Sequence, residues 1–505
     1  MRTRDLAFGL LAMTPMVMPV VAAEVPAPNV VFILADDFGW TDVSGGNTNM
    51  GNGSDYYRTP HIDALMAKGM SFDNAYACPN CAPTRATLMS GQYSTRHGMY
   101  TVSDPNRGPA ELRALNAAEN KTEVAPEVVT MAEMFKGAGY DTYHLGKWHL
   151  GVDGQGTGPM DQGFDVNFGG THTGSIRNMF SINGGTYTRL EECVPKNGKD
   201  GEFFADRMTD QALTYLEDRT KEGDKDPFFM YLSHYSVHTP ISAPKADIEN
   251  VGDRPVGKRH THKVYAAMVE NLDNNIGRVM DYLEQTDDPR NPGKKMIENT
   301  LVVFYGDNGG LGGYKSEGIK WSEVTVQTPL RCGKGSLYEG GMRVPMIVRW
   351  DGMVKPNTIS SQVMTTADFY KTFIDVAKAK TPEQELDGES LLGILTGKAA
   401  KLERDTIYMH FPAYLQGSKK TWRCKPGTTM RQGDWKLIFH YETDEFELYN
   451  LAEDIGEKKN LAEKYPDRVV DMAIDMSDWL EDTGALLPRF IDSGMECNLP
   501  NNVLY

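Results

Sequence analysis

The sequence predicts an α/β fold: a large, mostly parallel sheet sandwiched by helices, followed by a smaller C-terminal antiparallel α+β domain. Two observations carry this. Up to about residue 380, short continuous apolar runs alternate with longer helical patterns, as in parallel strands joined by crossover helices. Beyond about residue 405 the apolar segments are short, close together and separated by turns, as in an antiparallel sheet. At 505 residues the chain has room for two such units, one of them large.

Taken in order, the chain opens with the basic Met1-Arg2-Thr3-Arg4, an apolar stretch over 6–21 and the small residues Val21-Ala22-Ala23. This is the layout of a secretory signal peptide, residues 1–23, cleaved near Ala23. The stretch is short for a bilayer span and carries Pro15 and Pro19, and no later segment is long and apolar enough to cross. The expectation is an exported protein, periplasmic or secreted, with no stable membrane insertion.

The first strand is read at 29–34, a continuous apolar run as in a strand buried on both faces, with Asp36 and Asp37 just beyond it. A second at 140–145 runs into Gly146-Lys147-Trp148-His149. A third at 227–232 is followed by His234 and His238, and a fourth at 300–305 by Gly306-Asp307-Asn308-Gly309-Gly310. Helical patterns lie between, over 60–68, 129–137, 205–217 and 264–283. A further helix begins near Cys81-Ala82-Pro83-Thr84-Arg85: Pro83 suits a first turn, and Gly91 suits the position past the end. The polar segment 398–405 places a domain boundary, giving a large first domain over 24–395 and a C-terminal domain over 396–505. In the latter, strands are read at 406–411, 428–431, 435–439 and 446–449 and a helix at 468–480. The tail after Leu487 shows no clear pattern.

In open parallel sheets ligands bind beyond the carboxyl ends of the strands. Four predicted strands release polar residues at that edge. Asp36, Asp37, Asp307 and Asn308 are oxygen donors, a set that suits calcium or magnesium better than zinc or copper. Arg85, Lys147, His149, His238 and Lys334 supply cations, Lys334 from the glycine-rich run Gly333-Lys334-Gly335. Cys81 at a helix N-terminus meets exposed N–H groups and the positive end of the dipole, which favour a thiolate or an oxyanion. The net charge of −17 argues against nucleic acid as a partner. It does not decide the pocket, because a local cationic cluster reverses the sign within a Debye length of about 8–10 Å. Apart from Cys81 five cysteines remain, an odd number, so at least one is expected to be unpaired or paired between chains. Cys78 and Cys81 form a lone C-x-x-C without the further ligands that a zinc site needs.

The order Asn-Val-Val-Phe-Ile-Leu-Ala-Asp-Asp, Cys-x-Pro-x-Arg, Gly-Lys-Trp-His-Leu-Gly, Val-His-Thr-Pro, Gly-Asp-Asn-Gly and Lys-x-x-x-x-Glu-Gly-Gly resembles the type I, formylglycine-dependent sulfatases, arylsulfatase A-like members of the alkaline-phosphatase superfamily. The resemblance spans nearly the whole mature chain. It implies hydrolysis of sulfate monoesters by an exported enzyme whose Cys81 a maturase has oxidised to formylglycine (3-oxoalanine). Asp36, Asp37, Asp307, Asn308 and the modified Cys81 would bind one Ca2+. One hydroxyl of the hydrated aldehyde would attack sulfur to give a covalent sulfo-enzyme. Arg85 and Lys147 would hold the diol, and His238 and Lys334 would hold the sulfate, one of them protonating the leaving alcohol. His149 would take the proton that expels sulfate. The expected substrate is a sulfated carbohydrate such as mucin, glycosaminoglycan or algal galactan. His172 and Arg177, in a glycine-bearing loop, are the candidates for sugar contacts. One rival is a phosphodiesterase or phosphonate hydrolase of the same superfamily, which would want a second Asp- and His-rich metal set. Another is a non-catalytic sulfated-glycan-binding protein, if Cys81 stays unconverted.

Overall fold

A computed structural model describes residues 27–319, 323–418 and 420–504. The signal peptide read at 1–23 lies outside the described residues. Among these residues a nine-stranded sheet dominates: β1 (Asn29–Ala35), β2 (Met70–Tyr76), β3 (Asp141–Gly146), β4 (Val166–Phe168), β5 (Phe228–Ser233), β6 (Thr300–Gly306), β7 (Arg343–Trp350), β8 (Thr358–Ser360) and β9 (Met364–Thr365). The order is β9-β2-β7-β6-β1-β5-β3-β4, with β8 also paired to β2. Only β7 runs antiparallel to its neighbours. The sheet is thus mostly parallel, as the sequence predicts.

The continuous apolar run of β1 has a direct cause. Val31, Ile33 and Ala35 pack into the core on one face, and Val30, Phe32 and Leu34 into the core on the other. Helices Pro60–Lys68, Phe204–Glu222 and Lys263–Gln285 cover the first face; Cys81–Ser90, Met131–Gly137 and Asp368–Ala377 cover the second. No helix of the described residues is long and apolar enough to cross a membrane.

The sequence reading missed β2 and β7. Met70–Tyr76 carries Ser71, Asp73 and Asn74 yet is buried throughout, and Arg343–Trp350 has Pro345 inside it. Both departures from strand chemistry meet at one place. Val344 pairs with Ala75 and Met346 with Phe72, so Pro345 faces a bulge, where a missing N–H is tolerated.

The C-terminal strands are β10 (Thr406–Phe411), β11 (Leu415–Ser418), β12 (Thr421–Cys424), β13 (Gly427–Gln432), β14 (Trp435–His440) and β15 (Glu445–Asn450). They form an antiparallel sheet, β10-β13-β14-β15, and a separate hairpin, β11–β12. Helix Pro466–Asp482 packs on the sheet. The tail read as patternless places Arg489–Phe490 beside Leu115–Asn116 as a two-stranded sheet. A buried charge network joins the C-terminal sheet to the large one. Lys436 sits 3.0 Å from Glu339 and 2.7 Å from Glu457, and the Tyr76 hydroxyl donates to Glu339 at 2.6 Å. All six cysteines are unpaired, so the expected odd thiol extends to the whole set.

Candidate functional site

The site lies where β1, β3, β5 and β6 end. Cys81 is the first residue of the helix Cys81–Ser90, which is buried along its whole length and closed by Gly91 at φ 70°. Its thiol is 2% exposed and lies 3.5 Å from His149 Nδ1. One turn on, the Arg85 guanidinium donates to Asp307 Oδ2 from Nη2 at 2.8 Å and from Nε at 3.2 Å. It also donates to the Lys147 carbonyl at 2.8 Å and to Ser233 Oγ.

Two further cation–carboxylate pairs flank this one. Lys147 Nζ meets Asp36 Oδ2 at 2.7 Å, both fully buried, and Lys334 Nζ meets Asp37 Oδ1 at 2.5 Å. The backbone N–H of Asp37 donates to Asp307 Oδ1 at 3.0 Å, and Asn308 Nδ2 donates to Asp37 Oδ1 at 2.9 Å. His238 Nε2 stands 3.8 Å from Asp37 Oδ2. Gly146 makes the turn that delivers Lys147. Its φ is 99°, and a Cβ there would come within 1.9 Å of the Ser233 carbonyl, which accepts from Lys147 N at 2.7 Å.

Burial, then the charges of Lys147 and Arg85, push His149 well below its ordinary value. Its imidazole is therefore neutral, with one unprotonated ring nitrogen. Burial and the Lys334 charge likewise push His238 down to about 3. For Asp37, burial works upward, but Lys334 and His238 outweigh it and hold the carboxyl below its usual range. Burial, joined by the charge of Asp36, pushes Asp307 up to about 6 even with Arg85 attached.

Among the described residues three buried oxygens here have no hydrogen-bond partner: Asp36 Oδ1, Asp37 Oδ2 and Asn308 Oδ1. Ligand atoms of Asp36, Cys81 and Asp307 lie within 4.8 Å of one another, as do those of Asp36, Asp37 and His238. Orphaned buried oxygens are costly and rare, and a set of hard oxygens in which Lys147 and Lys334 already occupy the opposite carboxylate atoms of Asp36 and Asp37 fits one Ca2+ or Mg2+. The other acidic group among the described residues, Asp141, Asp224 and Asp226, lies around Arg219, which pairs with Asp141 and Asp224.

The structure thus brings together Asp36, Asp37, Cys81, Arg85, Lys147, His149, His238, Asp307, Asn308 and Lys334. It does not bring His172 and Arg177 into that cluster; both are exposed. Their loop still reaches the site from outside, since Thr171 O accepts from His149 N at 2.9 Å and a Cβ on Gly174 would meet the His149 ring at 2.4 Å. Sequence reasoning missed Ser233 and Thr84. Ser233 Oγ donates to the Lys147 carbonyl at 2.6 Å, and Thr84 Oγ1 donates to the Asp307 carbonyl at 2.7 Å. Ser233 carries the same signal as Asp36, a polar residue ending an apolar strand.

Residues 28–379 match the family model described as sulfatase, and residues 332–482 match one described as N-sulphoglucosamine sulphohydrolase, C-terminal. A sulfatase of Formosa agariphila is 34% identical over 503 residues, 90% of this chain and 88% of that protein. The N-acetylgalactosamine-6-sulfatase of Mus musculus is 30% identical over 417 residues, 80% of this chain and 71% of that one. Among solved structures, Ps i-CgsB in complex with k-i-k-neocarrahexaose superimposes with a TM-score of 0.70 at 28% identity, covering 91% of this chain and 95% of that one.

Proposed function

The chain belongs to the sulfatase family of the alkaline-phosphatase superfamily and is a sulfuric ester hydrolase; from that premise we propose that it is an exported enzyme removing sulfate from a sulfated carbohydrate, with Cys81 converted to formylglycine by a maturase and one Ca2+ at Asp36, Asp37, Asp307 and Asn308. The observation that carries this is the thiol at a helix N-terminus, 3.5 Å from a neutral histidine and beside three orphaned buried oxygens. The carbohydrate reading draws on the relatives, which include N-acetylgalactosamine-6-sulfatases and a structure holding a neocarrahexaose.

The modified residue would supply a hydroxyl nucleophile, and the cation would supply fixed positive charge. Everything else is done by the chain. Arg85 and Lys147 fix the carboxylates around residue 81 and would hold the oxygens of the modified side chain. His149, neutral and held by the Thr171 carbonyl, accepts the proton from residue 81. Lys334 and His238 bind the sulfate oxygens, where charge builds as the ester bond breaks, and one of them protonates the departing alcohol.

The test is a sulfate-release assay against mono-sulfated galactose, N-acetylgalactosamine and N-acetylglucosamine isomers. It is paired with mass spectrometry of the Cys81 peptide. Release from one isomer by protein carrying the aldehyde supports the reading. Release only from phosphate or phosphonate esters, or full activity with an unmodified thiol, overturns it.

A further inference from the structure

Lys334 reaches Asp37 from a segment whose far end is held by the C-terminal domain. Glu339 opens the short helix Glu339–Met342 and is fully buried. Groups from both sheets reach its carboxylate. From the large sheet, the Tyr76 hydroxyl donates to Oε2 at 2.6 Å and Arg343 Nη1 donates to the same oxygen at 3.3 Å. From the C-terminal sheet, Lys436 Nζ, on β14, donates to Oε1 at 3.0 Å.

Glu457 completes the clamp. Its Oε1 lies 2.7 Å from Lys436 Nζ, and its Oε2 accepts from the Glu339 backbone N–H at 2.7 Å. Glu457 is 1% exposed and sits at φ 51°, a left-handed backbone that is uncommon outside glycine and persists only where its surroundings enforce it. Arg331 ties the start of the Lys334 loop to the same point. Its Nη1 donates to the Glu457 carbonyl at 3.3 Å, and its carbonyl accepts from Gly340 N at 2.9 Å. Burial works against the Glu339 charge, but Lys436, then Arg343 and Arg431, outweigh it and hold the carboxyl below its usual range.

The loop between Arg331 and Met342 has little room to absorb a shift. Lys334 N donates to the Gly310 carbonyl at 2.9 Å, and Gly309 N donates to the Gly341 carbonyl at 3.0 Å, directly after Asp307 and Asn308. A Cβ on Gly340 would fall 2.2 Å from the Cys332 carbonyl, and one on Gly341 would fall 2.2 Å from the Ser336 carbonyl. Backbone packed this closely transmits a displacement instead of damping it. At the other end of the same loop stands the Lys334 ammonium, 2.5 Å from Asp37 Oδ1.

Resting on the sulfatase reading above, in which Lys334 binds the sulfate, we infer that Lys436 and Glu457 are positioning residues of the sulfate pocket: they fix Glu339, and through it the depth at which the Lys334 ammonium enters the site. The C-terminal sheet is then a working part of the centre, although neither residue touches the substrate.

The experiment uses enzyme made in a host that converts Cys81, with calcium present, assayed well below its Tm. Glu457→Ala removes the acceptor of the Glu339 N–H. It should raise KM for 4-nitrophenyl sulfate by about fivefold or more, with Ki for inorganic sulfate rising in step. A purely structural role would lower the amount of active enzyme, so apparent kcat would fall while KM and Ki stayed put. In a Lys334→Met background the effect of Glu457→Ala on the calorimetric Kd for inorganic sulfate should shrink to within about twofold, as for residues that act through one another. A second variant, Lys436→Met with Glu457→Gln, cuts the link to Glu339 without stranding a charge, because Glu339 keeps Arg343 and Tyr76. Burial pushes Glu457 up, so a neutral amide suits its place. This variant should show the same rise in KM and Ki. Unchanged KM and Ki, an undiminished effect in the Lys334→Met background, or failure of both variants to fold would overturn the inference while leaving sulfate hydrolysis intact. Failure of the wild type to release sulfate from any ester overturns the sulfatase reading and this inference with it.

Discussion

Removing divalent cations should destabilise this protein by an amount that can be bounded from its geometry. Asp36 Oδ1, Asp37 Oδ2 and Asn308 Oδ1 are buried without partners. Each such atom costs about 1–3 kcal/mol, so a cation that satisfies all three would return roughly 3–9 kcal/mol. Repulsion between Asp36 and Asp307, visible in the upward push on the latter, adds to the same side. Calcium at about 100 times its dissociation constant would stabilise the folded state by ~2.7 kcal/mol. The unfolding entropy is about 2.1 cal/mol/K per residue, or on the order of 1 kcal/mol/K for a chain this long. Each kcal/mol therefore moves Tm by ~1 °C, and saturating calcium should raise it by roughly 3 °C and up to about 9 °C. The assay is calorimetry of chelated protein titrated with Ca2+, Mg2+ and Zn2+, with metal content measured alongside. Asp307→Asn should lose most of the response. An unchanged Tm on adding calcium to stripped protein, or one zinc per chain and no calcium, would show that the three oxygens are not a hard-cation site.

Cys81→Ala should abolish sulfate release and leave Tm within a few degrees, checked by activity assay and thermal melt; full activity would remove residue 81 from the chemistry. His172→Ala should lower kcat/KM on the preferred sulfated sugar far more than on a small aryl sulfate that does not reach the 169–177 loop; equal losses would move His172 into the fold or the centre. Acid should destabilise the fold through histidines that are buried neutral: burial pushes His97, His144 and His234 down to about 3 and His410 to about 4. Because the unfolded chain binds these protons first, their contribution is complete above pH 6.5 and is lost progressively as pH falls toward those folded-state values. At one pH unit below 6.5 each costs ~1.4 kcal/mol, and His97→Gln should reduce the measured loss of stability at that pH by about that amount.

Legibility followed chemistry rather than length. Strands β1, β5 and β6 could be read because each is apolar on both faces and then ends in polar residues, and β3, with Asp141, Thr142 and His144 in it, chiefly because Gly146 and Lys147 follow it; those endings are the site itself. Strands β2 and β7 could not, because Asp73, Asn74 and Arg343 satisfy one another across the bulge at Pro345, a pairing between segments about 270 residues apart. Arg343 donates to Asp73 O at 2.7 Å and to Asn74 Oδ1 at 2.6 Å, so residues that look unfit for a buried strand are fit only as a set. His172 and Arg177 stand apart from the buried cluster: both are exposed on a loop that touches His149 from outside, where a sugar beyond the sulfate would lie.

The burial of Cys81 also sets a clock. Cys81 is 2% exposed, and the Lys334–Gly335 segment that closes on the approach to it, through the Gly335 N–H and the Pro79 carbonyl, lies far downstream in the chain. Lys334 follows Cys81 by 253 residues (334 − 81). At about 5–20 residues per second of synthesis, that separation is roughly 13–50 s. Any catalyst that must reach this thiol has that interval, while the residues that will roof it do not yet exist, and little opportunity afterwards. A variant that folded its first half faster would gain nothing in access. Slowing translation between codons 81 and 334 would lengthen the interval without altering a single contact in the finished protein.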